Sequence, residues 1–198
     1  MNLEQAPLQV VWEMTRASDA VCEECRKQQP PGRHPDELTT AEGFRLIEEV
    51  KRFAPPGGSL PALVFTGGDP LQRPDLMQLV QYAIDLGIPA EVNCAHSALL
   101  DADAMEDFCR AGVKRIVLRT DMPGAPLAAL GVARQMSLDV EMETAIHAGT
   151  IPHLDAIAAI AAQAGVKMWT ILFPVCVEPG HPESDLRAAE YEEAFETI

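Results

Sequence analysis

Apolar residues along this chain fall into short runs separated by polar stretches of helical periodicity. Six runs read as strands: Leu8–Met14, Ala62–Phe65, Ala90–Asn93, Arg115–Arg119, Val140–Ile146 and Lys167–Phe173. Most are short and rich in valine and isoleucine, as strands of a buried parallel sheet are. Between them, Phe44, Ile47 and Val50 share one helical face behind a capping threonine at 39 or 40. Leu76, Leu79, Val80 and Ala83 form a second face; Pro74 suits the first helical position and Gly87 the stop. Asp101 caps a third helix that ends at Gly112. Pro126–Met136 gives roughly three turns, Leu154–Ala164 a helix closed by Gly165, and Glu190–Ile198 the opening of a last one. The junctions at 86–89, 111–114 and 164–167 repeat one device: a helix end, a left-handed glycine and the next strand.

This alternation predicts an α/β chain of parallel strands joined by right-handed crossovers. The pattern leaves a doubly wound open sheet and a curved barrel both open. At 198 residues the chain is expected to form one domain with a sizeable core. In either architecture the loops after the strands share one face, where sites gather. Ser18, Cys22 and Cys25 follow the first strand; Gly67, Gly68 and Asp69 the second; Asn93, Cys94 and His96 the third. Thr120 and Asp121 follow the fourth, Thr144 and His147 lie near the end of the fifth, and Cys176 follows the sixth. His96 and His147 are candidate acid–base groups.

Composition narrows the classes. The chain is 47% hydrophobic and 23% charged, with a formal net charge of -15. That charge argues against nucleic acid as a partner, whose phosphates need clustered Lys and Arg, and against anionic membrane surfaces. No apolar run approaches the ~18 residues of a membrane span, and Met1–Pro7 lacks the basic and apolar regions of a secretory signal. The five cysteines are odd in number and unevenly spaced, which argues for a reducing cytoplasm rather than a disulfide framework. Cys109 reads as a small apolar helix residue.

Two segments carry the chemistry. Residues 12–25 read W-E-M-T-R-A-S-D-A-V-C-E-E-C, with Ser18, Cys22 and Cys25 spaced x3 and x2 after an apolar strand. Residues 65–71 read F-T-G-G-D-P-L and residues 73–76 R-P-D-L. Taken alone, C-x2-C is also half a zinc site, with His34 and Cys94 as partners. Together and in this order, the segments resemble the radical S-adenosylmethionine (AdoMet) superfamily, near its peptide-modifying and heme-biosynthesis branch. The resemblance runs from Pro7 to about Gly180.

The resemblance implies a partial, TIM-like (β/α)6 barrel, a [4Fe-4S] cluster held by three cysteines, and AdoMet bound at the open iron. It further implies an electron donor and a small-molecule, peptide or tetrapyrrole-like substrate. By position, Cys22 and Cys25 are metal ligands and Ser18 stands where the third cysteine is usual. Gly67, Gly68 and Asp69 match the segment that contacts the AdoMet amino group, and Asp121 matches its ribose or substrate side; Thr144 on the fifth strand is a further candidate for lining that pocket. The chain departs from the family at Ser18, at Glu24 (commonly aromatic or histidine), in the short segment after Asp121, and in having no cysteine-rich C-terminal domain. A serine hydroxyl is a harder, less acidic ligand than a thiol, so the expected cluster is labile, reduced to three irons or absent. Two functions follow: a radical AdoMet enzyme with impaired cluster ligation, or an inactive, degenerate binding module or truncated fragment.

Overall fold

Six parallel strands lie side by side in chain order: β1 (Gln9–Thr15), β2 (Ala62–Gly67), β3 (Ala90–Asn93), β4 (Arg115–Arg119), β5 (Asp139–Ala145) and β6 (Met168–Leu172). The computed structural model describes residues 7–18, 32–54, 57–94, 99–121, 127–173 and 186–197. The helices are α1 (Thr40–Lys51), α2 (Leu76–Asp85), α3 (Ala102–Ala111), α4 (Leu127–Gln135), α5 (Leu154–Ala164) and α6 (Ala188–Thr197). A doubly wound sheet reverses direction part-way, and this one never does. Right-handed crossovers that always step the same way set the helices on one face. The sheet is therefore of the partial-barrel kind, with β1 and β6 as its edges.

Strand periodicity divides the residues cleanly. Trp12, Met14, Leu63, Phe65, Val92, Ile116, Leu118 and Met142 join Ile47, Leu79, Val80, Met105, Phe108 and Ile157 in one buried apolar cluster between sheet and helices. Among the alternate positions, Glu91, Arg115, Arg119, Glu141 and Glu143 carry charge on the other face, beside Val64 and Val117. There Arg115 Nη1 stands 3.9 Å from Glu91 and 3.5 Å from Glu141 across three neighbouring strands. Gln9 donates to Glu91 at 3.1 Å and Thr170 to Glu141 at 2.7 Å.

The punctuation falls largely as expected. Thr39 and Glu42 form a reciprocal capping box on α1, and Asp101 accepts the Ala104 amide at the start of α3. Gly87, Gly112 and Gly165 take φ of 82°, 89° and 71° at the three helix-to-strand junctions. Pro74 differs: it lies in a turn, and Asp75 is the N-cap of α2. Side-chain bonds from Arg73 and Thr40 hold the Asp75 carboxylate and so fix the start of that helix. Phe108 is 0% exposed at the centre of the cluster. Phe108→Ala should destabilise the chain by about 3–5 kcal/mol, read as a lowered urea midpoint with an unchanged slope.

Candidate functional site at the strand ends

The pairing of β1 with β2 does not stop where the strands do. The Gly68 amide donates to Thr15 O at 2.8 Å and the Asp69 amide to Ala17 O at 2.6 Å. A Cβ on Gly67 would lie 2.2 Å from Thr15 O, and one on Gly68 would lie 2.2 Å from Ala17 O. The close approach that these glycines allow is thus to the neighbouring chain, and Gly67 further needs its φ of 129°. The contact brings the Gly-Gly-Asp segment against the stem that ends in half-buried Ser18.

Asp69 is 3% exposed; its Oδ1 accepts the Leu71 amide at 3.0 Å and caps the turn Pro70–Gln72. Cys94, at the end of β3, is 2% exposed. Burial, with the Asp69 charge in addition, pushes its thiol far above the ordinary range, so Cys94 is a neutral thiol. His34 accepts the Asp36 amide at its Nδ1. Neither residue is prepared as the zinc donor that C-x2-C alone invites. Among the described residues no group of three or more His, Cys, Asp and Glu is arranged around a metal position.

Arg73 closes this corner from beneath. It is 4% exposed, donates to Met14 O at 2.6 Å and Leu38 O at 3.2 Å, and forks onto Asp75 at 2.9 and 2.7 Å. Hydrogen bonding from Arg73 holds the Asp75 carboxyl below its ordinary range.

On the far side Asp121 pairs with Arg119 Nε at 3.0 Å and accepts the Ala145 amide at 3.0 Å, tying the ends of β4 and β5 together. Thr144 is 0% exposed and donates to Thr120 O at 2.8 Å while accepting from Trp169 Nε1 at 2.9 Å. It shares a face with Met142, on the helix side of β5, and its hydroxyl is used within the protein. The His147 Nδ1 accepts the Gly149 amide at 3.1 Å.

Glu143, which sequence reasoning passed over, lies on the charged inner face beside Arg119. Burial pushes its carboxyl above the ordinary range; Arg119 and a bond with Asn93 pull it back, while Glu141 and Asp121 push it further. The readable signal was a carboxylate at an alternate position of a strand. Cys22, Glu24, Cys25, His96 and Cys176 lie outside the described residues.

No family model matches the chain. Individual relatives do. The AdoMet-dependent heme synthases of Methanosarcina barkeri and Oleidesulfovibrio alaskensis are each 27% identical over 94% of this chain, which covers 56% and 51% of their lengths. The PqqA peptide cyclase of Streptomyces rochei is 30% identical over 74% of this chain and 39% of its own length. Among solved structures, Streptococcus suis SuiB bound to S-adenosylmethionine superposes with a TM-score of 0.73 and 13% identity, over 97% of this chain and 47% of that one. Native anSMEcpe with bound AdoMet gives 0.70 and 12% identity, over 93% and 57%. The chain belongs to the radical AdoMet superfamily. It spans about half the length of the curated relatives it matches.

For a radical AdoMet chain, the residues of this corner fit AdoMet on donor chemistry. The buried Asp69 carboxylate, next to Gly67 and Gly68, suits the ligand's cationic amino group. For the cluster that the family implies, the sequence would offer two thiols, with the Ser18 hydroxyl at the third position.

Two outcomes follow from this geometry. Gly68→Ala should destabilise the chain by about 1–3 kcal/mol, because its Cβ meets backbone that cannot rotate away; thermal unfolding measures it. For Glu143, the folded chain binds its proton more tightly than the unfolded chain. Its contribution therefore falls as pH rises from the ordinary value of 4.5 through the raised one. Glu143→Gln should match the parent below that window, gain on it through the window and keep a constant lead above it, in urea melts taken across pH.

Proposed function

We propose that this chain binds AdoMet at the corner formed by Gly67, Gly68 and Asp69, and that Cys22, Cys25 and Ser18 bind an iron–sulfur cluster beside it with weakened ligation. The carrying observation is the bond of the Asp69 amide to Ala17 O, which sets the acceptor segment against the stem that ends in Ser18. When bound, a [4Fe-4S] cluster would supply the electron that cleaves AdoMet. The chain's own residues do the rest. Asp69 holds the ammonium end, and the glycines keep the corner free of side chains. Asp121, braced by Arg119, faces the ribose or substrate side, and Thr144 fixes the strand end behind it. Electrons would come from a separate donor in a reducing, cytoplasmic setting. Among the described residues no helix is long and apolar enough to cross a membrane.

The substrate reading follows the relatives. Some are named heme synthases and others PqqA peptide cyclases, and SuiB has been solved with its precursor peptide SuiA. A peptide or tetrapyrrole-like substrate that undergoes radical modification is the reading these names support. A second reading is favoured by Ser18 itself: a protein that binds AdoMet or a partner without cleaving it.

Ser18→Cys separates them. The stem at 15–17 is already held by Gly68 and Asp69, so the substitution exchanges only the ligand atom, oxygen for sulfur. Anaerobic reconstitution should load several-fold more iron per chain in Ser18→Cys than in the parent, and 5'-deoxyadenosine should accumulate with AdoMet and reductant. More iron without 5'-deoxyadenosine would favour the binding-only reading, and no gain in iron would sink the cluster assignment.

A further inference from the structure

One acidic and one basic side chain each touch both ends of the segment that carries the candidate cluster ligands. On the way out, β1 passes through Thr15 and Arg16 to Ser18; on the return, the chain runs from Gly32 through His34 to Leu38. Glu37 Oε1 accepts the Arg16 amide at 2.8 Å and the Thr15 hydroxyl at 3.0 Å from the outgoing stem, and the His34 amide at 3.1 Å from the returning one. Arg73 repeats the bridge with donors, reaching Met14 O on one stem and Leu38 O on the other.

We propose that Glu37 is a positioning residue for the segment that carries the candidate cluster ligands: it closes the neck between residues 16 and 34, and so holds both stems of that segment, the outgoing one beside Gly68 and Asp69, on a fixed base. This rests on the cluster reading above. A loop gains little orientation from its own length, and the entropy of bringing its ends together grows as it lengthens. One carboxylate oxygen that gathers a donor from each stem cancels that freedom where it matters. The side chain of Glu37 is 7% exposed, with Arg33 Nε 3.6 Å from its other oxygen, so it is built in rather than resting on the surface. Burial alone would push its carboxyl up, but the bonds from Arg16, His34 and Thr15 and the Arg73 charge hold it below the ordinary range. The bridge therefore stays ionised at neutral pH. Glu37 acts through the stems, not by contact with iron or AdoMet.

The test compares Glu37→Ala and Glu37→Gln with the parent, because glutamine keeps one acceptor oxygen. Hydrogen exchange on the iron-free chain reads the neck, and iron per chain after anaerobic reconstitution reads the ligands. In Glu37→Ala the Arg16 and His34 amides should exchange roughly tenfold faster or more, the β4 and β5 amides should keep their parental rates, and iron should fall several-fold. Glu37→Gln should recover most of both. Unchanged exchange at 16 and 34 would overturn the proposal. So would acceleration spread into β4 and β5, which marks a general stability role, and so would a loosened neck with parental iron. A parent that takes up no iron sinks the cluster reading, and the ligand-positioning role with it. The exchange rates still tell whether Glu37 closes the neck.

Discussion

The backbone contact between Thr15–Ala17 and Gly67–Asp69 sets the terms for the rest of the site. Parallel strands exchange evenly spaced bonds only while both backbones stay extended. Here the exchange persists past the ends of β1 and β2, through Gly68 to Thr15 O and Asp69 to Ala17 O. Such proximity leaves no volume for a Cβ at either glycine. In return, the stem Thr15–Ala17 and the segment Gly67–Asp69 stay together beyond the ends of their strands. The buried carboxylate of Asp69 then stands beside that stem because the next peptide units have nowhere else to go.

The two faces of the sheet solve different problems. The helix side is an ordinary close-packed apolar core, and its residues fix the strand positions. The inner side is polar along its middle strands, and its charges are shared out. Arg115 serves both Glu91 and Glu141, while Arg119 serves Asp121 and acts on Glu143. Burial, with the Glu141 and Asp121 charges in addition, is why Glu143 keeps its proton to higher pH than a free glutamate does. Charge held at such cost on a face that none of the described helices covers is expected of a binding surface more than of a core.

Much of this was legible in the chain. Alternating runs gave the strands to within a residue or two, and the junction glycines marked the helix ends, because both signals are local. The choice between barrel and doubly wound sheet was not local. It depends on the direction in which successive crossovers step, and only the resemblance supplied it. Within the site, Gly67, Gly68 and Asp69 were visible as a motif, yet the reason for the glycines was not: the atoms that exclude a Cβ belong to residues 15 and 17, some fifty positions earlier. Thr144 looked like a pocket residue because it is polar and close to a strand end. Its parity places it with Met142 on the helix side, and Trp169 from the next strand occupies its hydroxyl. Glu37 left no signal at all, since a glutamate before a helix cap is ordinary until its three donors are seen.

Buried charge around the neck serves backbone geometry more than stability. Arg73 and Asp75 are almost withdrawn from water, with side chains 2% and 12% exposed, and Glu37 stands close by. For stability alone, an apolar cluster of similar volume would serve as well or better, since desolvating such ions costs several kcal/mol each. What apolar side chains cannot do is bind a carbonyl at Met14, a carbonyl at Leu38 and amides at Arg16 and His34 in one geometry. The polar set therefore fixes backbone rather than filling space.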